Sequence, residues 1–391
     1  MFVYLDNSAT TKQYDEVTDL MAKVAKETFG NPSSLHRLGL DAEKLVKAAR
    51  ENVANSIGAS PSEIYFTSCA TESDNTVIMN AVSKRHEGNR VITTKVEHPA
   101  ILEPAKVLEK IGFDVVYLDV DNKCHIDLEQ FKKALTKDTV LISIMSVNNE
   151  TGTIMPIPEI AKIKDEFNKA NGTNILLHTD AVQALGKIKI DVNGNYKGVD
   201  MISTSAHKIH GPKGMGFLYV RKGVNVKPFM LGGGQENHFR SGTENVPGMV
   251  GFGEACKLAC SNLEARMTKV AACKAHLLEG LKAEVPDIII NTPDDSVSTV
   301  LNVSFLKTRG EVILHTLEQD GIYVSTGSAC SSNHASSKGS HVLNAMGLKP
   351  NEIEGAIRFS LSEFTTMEEI DYTVEKVKAA VTRFRKLGSF R

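Results

Sequence analysis

The sequence predicts an α/β protein with a mostly parallel central sheet flanked by helices, plus a smaller α+β domain. Short apolar runs alternate along the chain with stretches of helical spacing, the pattern of strands connected through helices. Several of these runs are apolar almost throughout, as strands covered on both faces are. After roughly Val250 the texture changes, and one long helical stretch gives way to strand-like and helical segments in mixed order.

In chain order, the predicted strands are Ile64–Thr67 (IYFT), Arg90–Thr94 (RVITT), Asp114–Leu118 (DVVYL) and Val140–Val147 (VLISIMSV), each a short apolar or β-branched run. Asn174–His178 (NILLH), Asp200–Thr204 (DMIST) and Gly216–Val220 (GFLYV) complete the set. Between them, helices are predicted over 72–87, 100–111, 128–135 and 158–170, with Gly, Asn or Lys often following, as helix ends prefer. The C-terminal part is predicted as a helix over 253–284, strands at 288–290 and 300–305, and a helix near 310–320. A strand at 323–325, another at 356–360 and a helix from Met367 follow. No Pro/Gly-rich linker marks a boundary. The expected division is a large domain over 15–255 and a small one made of 1–14 and 256–391.

The chain has 391 residues, enough to bury a core without disulfide or metal staples. Its 41% hydrophobic and 24% charged residues are ordinary for a globular protein. With 45 Lys and Arg against 47 Asp and Glu, the net charge is −2, which removes the electrostatic argument for nucleic acid or an anionic membrane as partner. Six cysteines without a CxxC or zinc-finger spacing exclude a disulfide framework and suggest a reducing, cytoplasmic setting. The opening MFVYLDNSATT lacks the basic and apolar regions of a signal peptide, and the longest apolar runs are too short to span a membrane.

Sheets of this kind bind ligands at the carboxyl ends of their strands, and five predicted strand ends carry suitable groups. Ser205-Ala206-His207-Lys208 follows one strand; a lysine there can form a Schiff base, and Ser205 and His207 suit a phosphate. Asp180 and Gln183 follow another, where Asp180 suits either a helix N-cap or a protonated ring nitrogen. In FTSCATESDN a strand runs into a helix whose first amides, at Ala70 and Thr71, could hold a phosphate or simply be capped. Glu97-His98-Pro99 and Asn148-Asn149-Glu150 close two more strands, and an imidazole such as His98 could stack on a flat ring and move protons. Together these groups suit one flat, phosphorylated, aldehyde-bearing cofactor.

In this order and spacing the segments resemble cysteine desulfurases of the NifS/IscS kind, in the class V aminotransferase family. The likeness runs from Tyr4-Leu5-Asp6-Asn7-Ser8-Ala9-Thr10-Thr11 to Ile357-Arg358-Phe359-Ser360-Leu361. It takes in GNPSS, FTSCATESDN, VNNE, HTDAVQ, SAHKIHGPKG, GGGQE, RSGT and Ser328-Ala329-Cys330. The resemblance implies the PLP-dependent transferase fold type I, with pyridoxal 5'-phosphate on the large domain. It implies that Lys208 carries the cofactor, Asp180 pairs with the ring nitrogen, Gln183 contacts the ring hydroxyl, and Asn149 lies near that hydroxyl and the substrate carboxylate. His98 would stack on the ring and assist proton transfer, and Ala70, Thr71, Ser205 and His207 would hold the phosphate. Thr243 would reach the phosphate from the neighbouring subunit of a homodimer, and Arg358 would bind the substrate carboxylate.

The implied reaction converts L-cysteine to L-alanine, with the sulfur taken by Cys330 as a persulfide. Cys330 lies in STGSACSSNHASSK, a Ser-rich segment with the small-domain catalytic loop expected at about 326–341. The length between Cys330 and His341 resembles the long-loop group I enzymes. The sulfur would go to an iron–sulfur scaffold or a tRNA-thiolation protein. No intrinsic metal site is implied, with Cys330 at most a transient iron–sulfur ligand. Two departures stand out: Cys69 replaces the Gly of many relatives, where a positive φ would make it awkward, and the chain stops at Arg391, before the tail that meets a scaffold in some relatives. The nearest alternative is a selenocysteine lyase or another class V PLP transferase. A more distant one is a metal-dependent hydrolase using His178, Asp180, His207 and His210.

Overall fold

The structure is a computed structural model that describes residues 1–326 and 339–388. It opens with strand β1 (Val3–Tyr4) and helices α1 (Asp15–Glu27) and α2 (Arg37–Ser56). Neither helix is among the sequence-predicted elements. The buried stripe of α2 has helical spacing, but Ala42 and Ala49 alternate with Val46 and Val53, and alanine carries little hydrophobic signal. The next elements are β2 (Ile64–Thr67), α3 (Ala70–Asn80), β3 (Arg90–Thr94), α4 (Pro99–Lys110), β4 (Asp114–Leu118) and α5 (Leu128–Ala134). Then come β5 (Thr139–Ser143), α6 (Ile157–Asn171), β6 (Leu176–Asp180), β7 (Met201–Ser205), β8 (Gly216–Val220) and α7 (Val246–Cys260).

Seven of these strands form one sheet in the order β2-β8-β7-β6-β5-β3-β4. β8 runs antiparallel to both its neighbours, and the remaining pairs are parallel. The carboxyl ends of β2, β3, β5, β6 and β7 therefore share one edge. The strands β5 to β8 are buried at every residue, because helices cover both faces.

The second part holds α8 (Leu263–Glu284), β9 (Ile288–Ile290), β10 (Val300–Phe305), α9 (Gly310–Gln319) and β11 (Ile322–Tyr323). It ends with α10 (His341–Ala345), α11 (Pro350–Glu354), β12 (Ala356–Ser360) and α12 (Met367–Lys386). β10 pairs antiparallel with β9 and β12, and β1 pairs parallel with β11. Val3 and Leu5 pack in the same core as Phe305, Ile357, Phe359 and Val377, so the first residues of the chain belong with its last strands.

Several boundaries differ from the sequence expectation for physical reasons. The helix expected over 253–284 is two helices, broken where Ser261 is extended and Asn262 takes a left-handed φ of 47°, a conformation asparagine tolerates. The helix expected over 72–87 ends at Asn80 and tightens into a 3₁₀ turn over Ala81–Lys84. β5 stops at Ser143, four residues earlier than expected, and the chain bends into the loop before Asn149. β6 lies two residues later than expected, which makes Asp180 the last residue of the strand. Among the described residues, no helix is long and apolar enough to cross a membrane.

Candidate active site

The shared strand edge bounds a cavity of about 280 Å³. Ala70 and Thr71 line it from the first turn of α3, His98 from the start of α4, and Asn149 from the turn after β5. Asp180 and Gln183 line it from the end of β6, and Ser205, His207 and Lys208 from the end of β7. Arg358 reaches the same cavity from β12, across from the large sheet. Thr243 does not: it lines a separate cavity of about 260 Å³ with Ser68 and Arg240. Cys330 and most of its segment lie outside the described residues.

The turn from β2 into α3 sets one wall. Cys69 has a φ of −174°, extended backbone that any residue adopts, so its side chain costs no strain. Gly216, at the start of β8, passes so close that a Cβ there would come within 2.7 Å of the Cys69 carbonyl carbon and 2.8 Å of the Thr204 oxygen. Glu72 accepts the Ser68 N–H at 2.9 Å and pairs with Arg240 at 2.9 Å, which ties the segment leading to Thr243 to this helix. The first amides of α3 are those a helix leaves without intrahelical partners.

His98 is the N-cap of α4, and its Nδ1 accepts the Ala100 N–H at 3.1 Å. Burial, then the nearby Lys208 and His341, pushes its pKa down to about 4. It is thus neutral near pH 7, with its one proton on Nε2. Asn148 shapes the next wall: its Oδ1 accepts the Glu150 and Thr151 N–H groups at 2.9 and 3.0 Å, and its Nδ2 donates to the Val96 carbonyl. That tight turn leaves Asn149 facing the cavity. Glu150 beside it accepts from Ser340, and burial pushes its pKa up to about 7.

One oxygen of Asp180 accepts the Val182 N–H at 2.9 Å, so the carboxylate caps the turn and faces the cavity at once. The N–H it accepts belongs to a turn, not to a helix, so Asp180 is not a helix N-cap. Burial pushes its pKa up to about 6. Behind it, His178 sits between the hydroxyls of Ser143 and Ser203, each at 2.9 Å, and burial pushes its pKa down to about 3. Asp74, also on the cavity wall, is buried, and desolvation with the charge of Asp180 raises its pKa well above the usual carboxylate range.

Lys208 donates from Nζ to the carbonyls of Ser8 and Ala9, each at 2.6 Å. His207 Nδ1 is 3.1 Å from the Thr10 hydroxyl, and burial, with Lys208 and Lys213 nearby, pushes its pKa down to about 4. Arg358 donates from Nη1 to the Asn149 carbonyl and from Nη2 to Asp6, both at 2.9 Å. Its Nε is buried without a hydrogen-bond partner among the described residues, as is the Ser8 hydroxyl.

Sequence reasoning missed Asp74, Ser8 and His341, which line the same cavity. Asp74 was detectable: it lies four residues after Ala70 in FTSCATESDN, on the same helix face. His341 is brought in by tertiary packing, its Nε2 2.9 Å from the Glu97 carbonyl. The hydrolase set is not assembled, since His178 is held between two serines, and no group of three or more His, Cys, Asp or Glu among the described residues is placed to hold a metal. Burial raises the thiol pKa of Cys124 to about 12 and of Cys260 to about 11, and raises that of Cys256 well above the ordinary thiol value, so these remain inert thiols.

The aminotransferase class-V family model matches residues 3–373, and the chain belongs to that family. Within it, the similarity is to cysteine desulfurases. "Cysteine desulfurase IscS" of Dictyoglomus turgidum is 43% identical over 391 residues, covering 100% of this chain and 97% of that protein. A solved "NIFS-LIKE PROTEIN" superposes with a TM-score of 0.90 at 41% identity, covering 98% of this chain and 100% of that one. A structure described as "SspA in complex with cysteine" has a TM-score of 0.80 at 36% identity, covering 93% of this chain and 100% of that one. The cofactor of this family is pyridoxal phosphate, and the cavity fits it. A lysine amine, a buried carboxylate and a helix N-terminus share its walls, and buried polar atoms on those walls, Arg358 Nε, Ser8 Oγ and both carboxylate oxygens of Asp74, have no hydrogen-bond partner among the described residues.

Proposed function

We propose that the chain desulfurates L-cysteine to L-alanine, with the sulfur carried off as a persulfide on Cys330. The observation that carries this reading is the convergence of Lys208, Asp180 and Arg358 on one cavity, together with the family of the chain. Pyridoxal phosphate, when bound, supplies an electron sink for the pair left at the substrate Cα.

The chain's own residues do the rest. Lys208 would anchor the cofactor and would serve as the base for the substrate's α-proton. Asp180 would keep the ring nitrogen protonated, and Gln183 would donate to the ring hydroxyl. Ala70, Thr71, Ser205 and His207 would hold the phosphate, and His98, neutral with its proton on Nε2, would face the ring and assist proton transfer. Arg358 Nε has no hydrogen-bond partner among the described residues, which suits it to a carboxylate oxygen of the substrate; Asn149 lies beside it. The Cys330 thiolate attacks the substrate sulfur, the C–S bond breaks, and the three-carbon remainder is protonated and leaves as alanine.

The large domain is residues 15–255, and the small one is 1–14 with 256–391. The enzyme acts as a homodimer in which Thr243 reaches the partner's phosphate, and the Glu72–Arg240 pair fixes the segment before it. The acceptor is an iron–sulfur scaffold or a tRNA-thiolation protein in the cytoplasm, where the thiol is kept reduced. Cys330→Ser tests the reading: it keeps the yellow colour with pyridoxal phosphate but loses alanine formation and persulfide labelling. Alanine formation at the normal rate in that variant would refute the role of Cys330.

A further inference from the structure

Gln183 is held from two sides. Its Oε1 accepts from Nζ of Lys187, and its Nε2 donates to the Ser8 carbonyl at 3.1 Å. The two partners leave no freedom in the amide. A backbone carbonyl can only accept, so nitrogen must face Ser8, and Lys187 then donates to the oxygen on the other side. Of the two N–H bonds on Nε2, one goes to Ser8. The other is the donor available to the cavity that Gln183 lines.

Lys187 reaches this position by a tight turn. The Lys187 N–H bonds to the Ala184 carbonyl, and Gly186 takes a left-handed φ of 69°, which bends the chain back over Gln183. A side chain at Gly186 would also press within 3.1 Å of the Ala259 Cβ. Lys187 also lines a narrow gap of about 30 Å³ with Lys208, Ser8 and Asn7. Its hydrogen-bond partner is an amide oxygen, not a carboxylate. Burial, with Lys208 and Arg358 nearby, pushes its pKa down to about 7. An amine in so unfavourable a place calls for a reason.

We propose that Lys187 is a positioning residue for the reaction: by donating to Gln183 Oε1 it locks the amide with its N–H toward the cavity, where it meets the cofactor's ring oxygen. This rests on the reading that Lys208 carries pyridoxal phosphate. Without Lys187 the amide keeps only the Ser8 carbonyl as anchor, its second N–H is held less firmly toward the ring oxygen, and the anionic form of that oxygen is stabilised less.

The test is a visible absorbance titration of the loaded enzyme, run on wild type, Lys187→Met, Gln183→Met and the double variant. Lys187→Met is expected to raise the titration midpoint by about one pH unit, the scale of one lost hydrogen bond. It is also expected to weaken cofactor binding by about tenfold. In the Gln183→Met background the same substitution should add nothing, because Lys187 then has no amide to orient. An additional shift of similar size in that background would mean that Lys187 acts through its charge and would overturn the proposal, as would an unchanged midpoint in Lys187→Met. If Lys187→Met does not fold, Gln183→Glu asks the same question. A carboxylate still accepts from Lys187 but offers no N–H, so the midpoint should rise by a unit or more, and an unchanged midpoint overturns the orientation. Wild type that never turns yellow refutes the functional reading and this inference with it; yellow wild type with an unshifted variant refutes the inference alone.

Discussion

Asp180→Asn should separate the two tasks of that side chain. The carboxylate is 6% exposed and ends β6, and one of its oxygens accepts the Val182 N–H. An asparagine oxygen accepts that same N–H, so the turn and the fold survive the change. What is lost is the negative charge that would face a protonated ring nitrogen. Breaking a buried ion pair by removing one partner costs roughly 3–5 kcal/mol, and each 1.36 kcal/mol is tenfold in rate. The expected loss in alanine formation is therefore roughly a hundredfold to several thousandfold. The assay is alanine released from L-cysteine under reductant, with far-UV circular dichroism and thermal melting to show an unchanged fold. A correctly folded Asp180→Asn enzyme that keeps more than about one-tenth of the wild-type rate would refute the assignment of Asp180 to the ring nitrogen.

Two further outcomes follow from the same geometry. Arg358→Lys loses the planar fork that bonds the Asn149 carbonyl and Asp6 while leaving Nε for a ligand; kcat/KM for L-cysteine should fall about 10- to 150-fold, the value of one charged hydrogen bond, mostly through KM, and an unchanged KM would argue against carboxylate recognition there. His178 has a folded pKa of about 3 against its ordinary 6.5, so below pH 6.5 the unfolded chain takes up a proton that the folded chain refuses, and acid lowers stability. Relative to His178→Gln, wild type should lose about 2 kcal/mol between pH 6.5 and 4.5, read from urea unfolding at both pH values; a difference independent of pH would show that burial does not hold the ring neutral.

Much of the site was readable because its residues follow directly on apolar runs. Asp180, Ser205, His207 and Lys208 sit within a few residues of buried strands, and a parallel sheet forces the ends of such strands to one edge. Lys187 was not readable, because its role depends on a left-handed Gly186 and on a carbonyl near the other end of the chain. His341 has no local signal at all: it enters the cavity because α10 packs against the turn holding Glu97.

The class of fold, the strand ends that line the candidate site and the family could all be read from the chain, since local apolar patterning and closely spaced motifs survive without knowledge of contacts. Which groups meet was set by the folding of distant segments onto one another. Arg358 joins a site built on the large sheet because β12 pairs with β10 and its guanidinium reaches Asp6, 352 residues away in sequence. That folding also decided the protonation of the site, because neutral His98 and His178 follow from desolvation by neighbours distant along the chain. A residue type announces what chemistry is available; burial and contacts set its charge and its partners.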